Sequence, residues 1–370
     1  MKIGYDAKRI FHNTTGLGNY SRDLVQILSR YYPKNQYFLY NPKPAKVDRL
    51  KPDGKTLVEI KPTSFLAKKM HFLWRSKWIV KQLVKDKITV FHGLTGELPY
   101  GIEKTDIKTI VTIHDLIFVR YPKLYKSLDR KIYLKKFKYA AQTADIVIAI
   151  SEQTKRDIID FLGVKSDKIK VIYQGCHPIF KENIFQELQN EILKKHNIPK
   201  NFILNVGAIN ERKNLLSLIK AIEKTGDSLV VVGNGTDYFQ KVKDYVTQHN
   251  LNNKVRFLQN LTMQEIAVLY RKANLFVYPS IFEGFGIPII EALYSKTPVI
   301  TTQGSCFPEA GGPDTLYLKD SYDIKELQNK IELIKNDSQL KNRMIKNGYN
   351  FVQKFNDEHI AKYFNSVYSI

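Results

Sequence analysis

The chain has 370 residues, 43% hydrophobic and 25% charged, which excludes a disordered, collagen-like or coiled-coil protein and suits two domains better than one core. Its two cysteines, Cys176 and Cys306, form no CxxC pair, which argues against a disulfide scaffold and a cysteine-rich zinc site. The net charge is +22 and uneven, with 34 Lys+Arg against 16 Asp+Glu in Met1–Phe180, so the first half should attract nucleic acid, an anionic bilayer or a phosphorylated substrate.

The first six residues, Met1-Lys2-Ile3-Gly4-Tyr5-Asp6, read as a strand entering a loop, without a signal-peptide apolar region. No apolar run reaches the roughly 18 residues of a membrane helix. The expectation is a soluble, cytoplasmic protein. Short β-branched runs predict strands at Lys2–Asp6, Tyr37–Tyr40, Val90–His92, Thr109–Ile113, Asp145–Ala149 and Lys170–Ile172, with helices such as Asn19–Arg30 and Leu73–Lys85 between them. The second half repeats the pattern, with strands at Phe202–Val206, Ser228–Val232, Val255–Leu258, Leu275–Val277, Pro298–Thr301 and Thr315–Leu318. Helices are predicted there at Phe185–His196, Leu215–Lys224, Thr262–Ala273 and Pro288–Ser295, and Glu326–Ile370 is helical in pattern. Strand–helix alternation implies an α/β fold of parallel sheets covered on both faces. Two doubly wound, Rossmann-like domains are expected, residues 1–178 and 179–352, with a helix at 353–370 packing back toward the first. The carboxyl ends of the two sheets would then face a central cleft, where open α/β sheets bind ligands.

In chain order, Gly16-Leu17-Gly18-Asn19-Tyr20-Ser21 precedes a helix. It is a poor dinucleotide fingerprint: Ser21 stands in the third glycine's place, and the next strand ends in Asn41-Pro42 with no acid. His114 and Asp115 end a β-branched run, where side chains point to a cleft; His92 is a weaker candidate of the same kind. Lys68–Lys87 holds seven Lys/Arg against one acid with Phe72, Trp74 and Trp78, and Arg120–Lys138 holds eight against one with Tyr121, Tyr125, Tyr133 and Phe137. Basic stretches interleaved with aromatics suit an anionic membrane surface.

Arg212 and Lys213 follow a strand within Gly207–Asn214. Fixed cations there would stabilise the charge of a departing diphosphate. Beyond Leu275–Val277 comes Glu283-Gly284-Phe285-Gly286-Ile287-Pro288, with Glu291 about one helical turn further on. The glycines allow close backbone approach. Pro288 suits a first helical turn, whose free N–H groups favour an anion. Two carboxylates flanking an anion site suit sugar hydroxyls, which are donors to an acceptor-only group.

This segment resembles the signature of retaining glycosyltransferases of family 4, which have the B-type two-domain fold: a glutamate, Gly-Phe-Gly, and a second glutamate eight positions on. The resemblance extends to the Arg212-Lys213 loop, to the strand and glycine turn Val231–Asp237, to Val255–Leu258 near the base, and to Ser305–Gly312. Ala208 departs from a common version with arginine after the first glycine, leaving more to Arg212 and Lys213. The resemblance implies that Glu283 binds donor-sugar hydroxyls and Glu291 the ribose. Arg212, Lys213 and the amides of Gly284, Phe285 and Gly286 would hold the diphosphate, with Gly16 and Gly18 lying over it. His114 would contact the donor sugar as a catalytic residue beside Glu283.

The expected activity is hexosyl transfer with retention from a nucleotide-diphosphate sugar, GDP-mannose favoured over a UDP-sugar, to a glycan or lipid-linked acceptor in bacterial surface polysaccharide synthesis. No cofactor is implied, and without an Asp-x-Asp clamp no metal is needed. A nucleotide-sugar 2-epimerase and a basic nucleic-acid-binding protein are the alternatives. The latter is disfavoured, since no zinc-finger spacing or RNA-recognition signature is present.

Overall fold

The computed structural model describes residues 1–235 and 237–369. Thr236, within the predicted glycine turn Val231–Asp237, and Ile370, at the end of the predicted C-terminal helix, lie outside the described residues. The chain divides into two units, one of Met1–Gly175 with the segment from Phe355 onward, the other of Cys176–Lys354.

The first unit carries a seven-stranded parallel sheet: β1 (Lys2–Asp6), β2 (Gln36–Tyr40), β3 (Leu57–Ile60), β4 (Val90–Gly93), β5 (Lys108–Ile113), β6 (Ile146–Ala149) and β7 (Ile169–Val171), in the order β3-β2-β1-β4-β5-β6-β7. Successive side chains leave a strand on opposite faces, and the packing obeys this. Ile110, Ile146 and Ile148 join a core with Tyr5, Leu39 and Leu24. Val111, Ile113, Val147 and Ala149 join another with Phe91, Ala140 and Ile158. Burial on both faces is why these strands read as unbroken apolar runs. The second unit has six parallel strands: β8 (Ile203–Val206), β9 (Leu229–Val232), β10 (Val255–Leu258), β11 (Leu275–Tyr278), β12 (Val299–Thr302) and β13 (Leu316–Leu318), in the order β10-β9-β8-β11-β12-β13. Strand order reverses between β1 and β4 in one sheet and between β8 and β11 in the other. Crevices for ligands form at the carboxyl ends of such strand pairs.

Three local features differ from the sequence expectation. Strand β3 was not anticipated. It is an edge strand with Glu59 inside it, and its start is set by Asp53, whose Oδ1 accepts from the backbone N–H of Lys55, Thr56 and Leu57 at 2.8–2.9 Å. Pairing with β2 (Tyr37 opposite Leu57) is long-range information. Gly16 and Gly18 are not a loop before a helix but its first turn, the helix running Gly16–Tyr31. A Cβ on Gly18 would lie 2.1 Å from the Asn13 carbonyl oxygen, so only glycine admits that backbone. The predicted helix Leu73–Lys85 is interrupted by a π-helical turn at Trp74–Trp78. That turn carries Arg75 to Asp6 at the end of β1 and to Glu97, 2.9 Å away.

The C-terminal stretch breaks into Ile324–Asn336, Ser338–Val352 and Asp357–Ser369. Asp337 ends the first and caps the second, accepting from Leu340 N–H at 2.8 Å. The last helix buries Ile360, Phe364, Val367 and Tyr368 in the first unit's core. Tyr5 donates to the Tyr368 hydroxyl at 3.2 Å, and the His92 ring bridges Tyr368 (2.8 Å) and Thr112 (2.8 Å). His92 is fully buried between these hydroxyls, so it is a core residue and does not line an open site. Burial, aided by His114, pulls its pKa down to about 3.

Phe364→Ala should lower the first unit's stability by about 3–5 kcal/mol, the usual loss for an emptied aromatic core site, as measured by chemical denaturation. The depressed His92 pKa means that the unfolded chain binds the proton first. Its contribution is therefore complete above pH 6.5 and is lost as pH falls toward 3. Between pH 7 and pH 5 this amounts to about 2 kcal/mol. His92→Gln should shrink the difference in stability between those two pH values by about that much.

Candidate active site

The second unit's crevice is built from the loops that follow its two central strands, β8 and β11. After β8, Asn210 caps the short 3-10 turn Glu211–Lys213, its side chain accepting from Lys213 N–H at 3.2 Å. Asn214 then adopts φ +51° and donates its amide to the Ser321 carbonyl at 2.6 Å. The backbone of the β11 loop is tied to this turn at the Arg212 carbonyl oxygen, which accepts from Ile281 N–H at 2.9 Å and from the Ser280 hydroxyl at 3.2 Å. Glycine is required where β8 and β9 end: a Cβ on Gly233 would stand 1.8 Å from the Gly207 carbonyl oxygen.

These constraints bring Arg212, Lys213 and Glu283 together. Glu283 Oε1 lies 2.6 Å from Arg212 Nη1 and 2.6 Å from Lys213 Nζ. The same oxygen accepts from the Ser280 hydroxyl at 2.5 Å and the Tyr278 hydroxyl at 3.2 Å. Lys213 Nζ also donates to the Tyr278 hydroxyl and sits 4.7 Å from that ring's centroid; Arg212 donates to the Phe282 carbonyl. Glu283 is 9% exposed. Burial alone would raise its pKa, but Lys213 and Arg212 outweigh it and hold the carboxyl down at about 2. Burial pulls the Lys213 ammonium below its usual range against the pull of Glu283. The site is a largely buried, paired charge cluster in which two cations share one carboxylate oxygen.

Gly284, Phe285 and Gly286 lead from Glu283 into the helix Ile287–Tyr294, which has Pro288 in its first turn and Gly286 at its N-cap with φ +108°. Two residues from another loop pin this segment. Cys306 donates its thiol to the carbonyls of Glu283 (3.2 Å) and Phe285 (2.9 Å), and Ser305 donates to Glu283 O at 3.2 Å. Glu291 is buried on that helix, and its Oε2 accepts from the Tyr270 hydroxyl at 3.0 Å. Sequence reasoning had no roles for Tyr270, Tyr278, Ser280 or Cys306. Tyr278 and Ser280 stood next to the signature, but only the folded loop aims their hydroxyls at Glu283.

His114, Gly16 and Gly18 belong to the first unit. His114 follows β5 and is 9% exposed. Its Nε2 lies 2.9 Å from the Leu94 carbonyl and its Nδ1 3.0 Å from Gln174 Nε2. The Tyr20 ring, from the helix that opens with Gly16 and Gly18, meets it edge-on at 4.6 Å. Burial lowers the His114 pKa to about 4, so the ring is neutral near pH 7. Asp115 lies just before the next helix, Ile117–Arg120, and its Oδ1 accepts from Ile117 N–H at 3.1 Å. Among the described residues, no three His, Cys, Asp or Glu side chains converge in a way that could hold a metal ion.

The family model "Glycosyltransferase Family 4" matches residues 15–178, and "Glycosyl transferases group 1" matches residues 189–351. The O-antigen chain mannosyltransferase RfbU of Salmonella typhimurium is 35% identical over 227 residues, 60% of this chain and 60% of its own, so the match spans less than two thirds of that relative. The O-antigen chain mannosyltransferase B of Escherichia coli is 24% identical over 345 residues, 88% of each chain. In fold, the chain resembles the sucrose-phosphate synthase of Thermosynechococcus elongatus, with TM-score 0.80 and 21% identity over 100% of this chain and 98% of that one. The epimerase and nucleic-acid-binding alternatives draw no support from these similarities. With two glycosyltransferase models following one another along its length and two parallel-sheet, Rossmann-like units to match, the chain belongs to the group 1, family 4 glycosyltransferases of the B-type fold.

Proposed function

We propose that the protein transfers a hexosyl group from a nucleotide-diphosphate sugar to a hydroxyl of a glycan or lipid-linked acceptor, with retention and without a metal ion. GDP-mannose is the favoured donor, since both relatives named above are O-antigen chain mannosyltransferases; a UDP-sugar is the second choice. The observation that carries this is the meeting of Arg212, Lys213 and Glu283, at 2.6 Å from each cation, beside the central strands of the second unit. An incoming diphosphate is a stronger anion than the carboxylate and takes the two cations. Glu283, relieved of them, turns its acceptor oxygens to sugar hydroxyls. Glu291 serves the ribose, and the amides of Gly284, Phe285 and Gly286 approach the diphosphate. The first unit is assigned the acceptor, with His114 contacting the donor sugar and Gly16 and Gly18 near the diphosphate.

The bond from the anomeric carbon to the diphosphate oxygen breaks as the acceptor oxygen bonds to the same face. The departing phosphate oxygen takes the acceptor's proton, and the nucleoside diphosphate leaves. Arg212 and Lys213 stabilise the charge that grows on that oxygen, which is the transition-state contribution expected of fixed charges in a dry site. Two resident cations can supply the charge for which other glycosyltransferases use a divalent ion.

A membrane-held acceptor is supported by the surface of the first unit. Phe65 is 81% exposed and Leu128 70%, and Leu66, Phe72, Ile132 and Tyr133 are also exposed, interleaved with Lys68, Lys69, Lys131 and Lys135. Not every cation in the two basic stretches is available: Arg75 pairs with Asp6 and Glu97, and Arg120 with Asp157. Lysines beside exposed apolar side chains suit peripheral docking on an anionic bilayer, at the inner face of the cytoplasmic membrane. Among the described residues no helix is long and apolar enough to cross one.

Glu283→Ala and Lys213→Ala should each cut turnover by about 100-fold or more, the usual loss when a transition-state electrostatic partner is removed, with circular dichroism unchanged. Turnover is read as nucleoside diphosphate release across a donor panel. Release that needs an acceptor marks a transferase; conversion of the nucleotide sugar to its 2-epimer with no net release of nucleoside diphosphate marks an epimerase; near-normal turnover in both variants removes the site. In cosedimentation with phosphatidylglycerol vesicles, Leu128→Glu and Phe65→Asp should each weaken binding by about tenfold. Binding indifferent to lipid charge and salt would contradict the membrane assignment.

A further inference from the structure

Both ring nitrogens of His114 are occupied by the protein itself. The Leu94 carbonyl, 2.9 Å from Nε2, can only accept, so Nε2 carries the proton. Nδ1 then presents a lone pair, and the Gln174 side-chain amide, 3.0 Å away, donates to it. Gln174 is 4% exposed, and the Tyr20 ring closes another side of the imidazole at 4.6 Å, nearly perpendicular to it. The His114 carbonyl is held as well, accepting from the Thr154 hydroxyl at 3.2 Å. The ring therefore has one defined tautomer and a fixed plane, and its single acceptor position is filled by a neutral N–H donor.

This arrangement constrains what the histidine can do in the function proposed above, on which the following inference rests. A hydroxyl of a donor sugar that bonds to the ring must replace Gln174 at Nδ1. We propose that Gln174 is a positioning residue that holds the His114 acceptor lone pair in reserve and yields it to a hydroxyl of the donor sugar. An amide N–H and a hydroxyl are interchangeable donors to that lone pair, so the exchange leaves no buried nitrogen unpaired. Until the sugar arrives, Gln174 keeps the ring neutral, oriented and closed to water. Gln174 also precedes Gly175, the last residue before the chain passes to the second unit.

The role distinguishes a donor from an acceptor at position 174. Gln174→Glu puts a carboxyl against Nδ1; while ionised it can only accept, and the ring then takes up a second proton to satisfy it. A doubly protonated ring has no lone pair for a sugar hydroxyl. Gln174→Met removes the competing donor and leaves Nδ1 open. The other charged or titratable groups facing or acting on the ring are Tyr20, His92 and Arg9, which both variants leave in place.

The experiment measures calorimetric binding of GDP and GDP-mannose, and of UDP and UDP-glucose, to the full chain and both variants, with 15N NMR of histidine-labelled protein at pH 7. The expected result is a neutral His114 with the proton on Nε2 in the parent and in Gln174→Met, and a doubly protonated ring in Gln174→Glu. Binding of the nucleotide sugar should fall by about tenfold in Gln174→Glu, the loss of one buried hydrogen bond, and should be unchanged or tighter in Gln174→Met. The bare nucleoside diphosphate, which lacks the sugar, should bind all three alike. A Gln174→Glu variant whose ring is charged while the nucleotide sugar binds as in the parent, or whose ring stays neutral while that binding falls, would overturn the proposal. So would weaker sugar-nucleotide binding in Gln174→Met. If the parent binds neither nucleoside diphosphate, it is the donor-site assignment that fails.

Discussion

The structure of the second unit's site depends on one carboxylate oxygen. Glu283 Oε1 takes two cations and two hydroxyls within 3.2 Å, in a place where the carboxylate is almost wholly removed from water. A buried charge is tolerated only when paired and hydrogen-bonded. Arg212 and Lys213 are costly to hold in a largely buried crevice without an anion, and Glu283 is costly to hold there without cations or hydrogen-bond donors. The loops after β8 and β11 are therefore obliged to meet, and the shared Arg212 carbonyl that takes bonds from Ile281 and Ser280 is the backbone expression of that requirement. The cluster is also what a diphosphate would find useful, because its cations are already desolvated and aimed.

The same physical rule operates in the first unit with neutral groups. Tyr5, Tyr368, His92, Thr112 and Tyr20 form a column of buried hydroxyls and imidazole, each within 3.3 Å of the next. It links the C-terminal helix to β5, whose end carries His114. Neither histidine carries charge near pH 7, because burial without an opposing carboxylate favours the neutral ring. The contrast with Glu283 is instructive: that group is equally buried, yet it stays ionised because two cations face it.

Much of this was legible in the chain itself. Alternating apolar runs and amphipathic stretches revealed the two doubly wound sheets, since a parallel strand buried on both faces cannot hide its Val/Ile content. The signature around Glu283 and the Arg212-Lys213 pair was visible for a similar reason. Glycines and prolines at a strand's end leave a local mark, as Gly286 with its φ of +108° and Pro288 in the following turn illustrate. The edge strand β3 left only a weak mark, being short, half-exposed and interrupted by Glu59. The π-helical turn at Trp74–Trp78 left none, because it answers to Asp6 and Glu97 rather than to its own residues.

By itself, then, the sequence determined the fold class and the family resemblance and pointed to the residues of the candidate site, all from local periodicity, backbone freedom and short spacings. Only the tertiary structure decided which atoms meet. It set the Tyr278 and Ser280 hydroxyls on Glu283, the Cys306 thiol on the Gly-Phe-Gly backbone, Tyr270 on Glu291 and Gln174 on His114. It also withdrew His92 from the candidates by burying it completely. The reason is that hydrogen-bond satisfaction in a buried site is a property of the whole packed neighbourhood. Gln174 and His114, sixty positions apart, carry nothing in their own surroundings that announces the other.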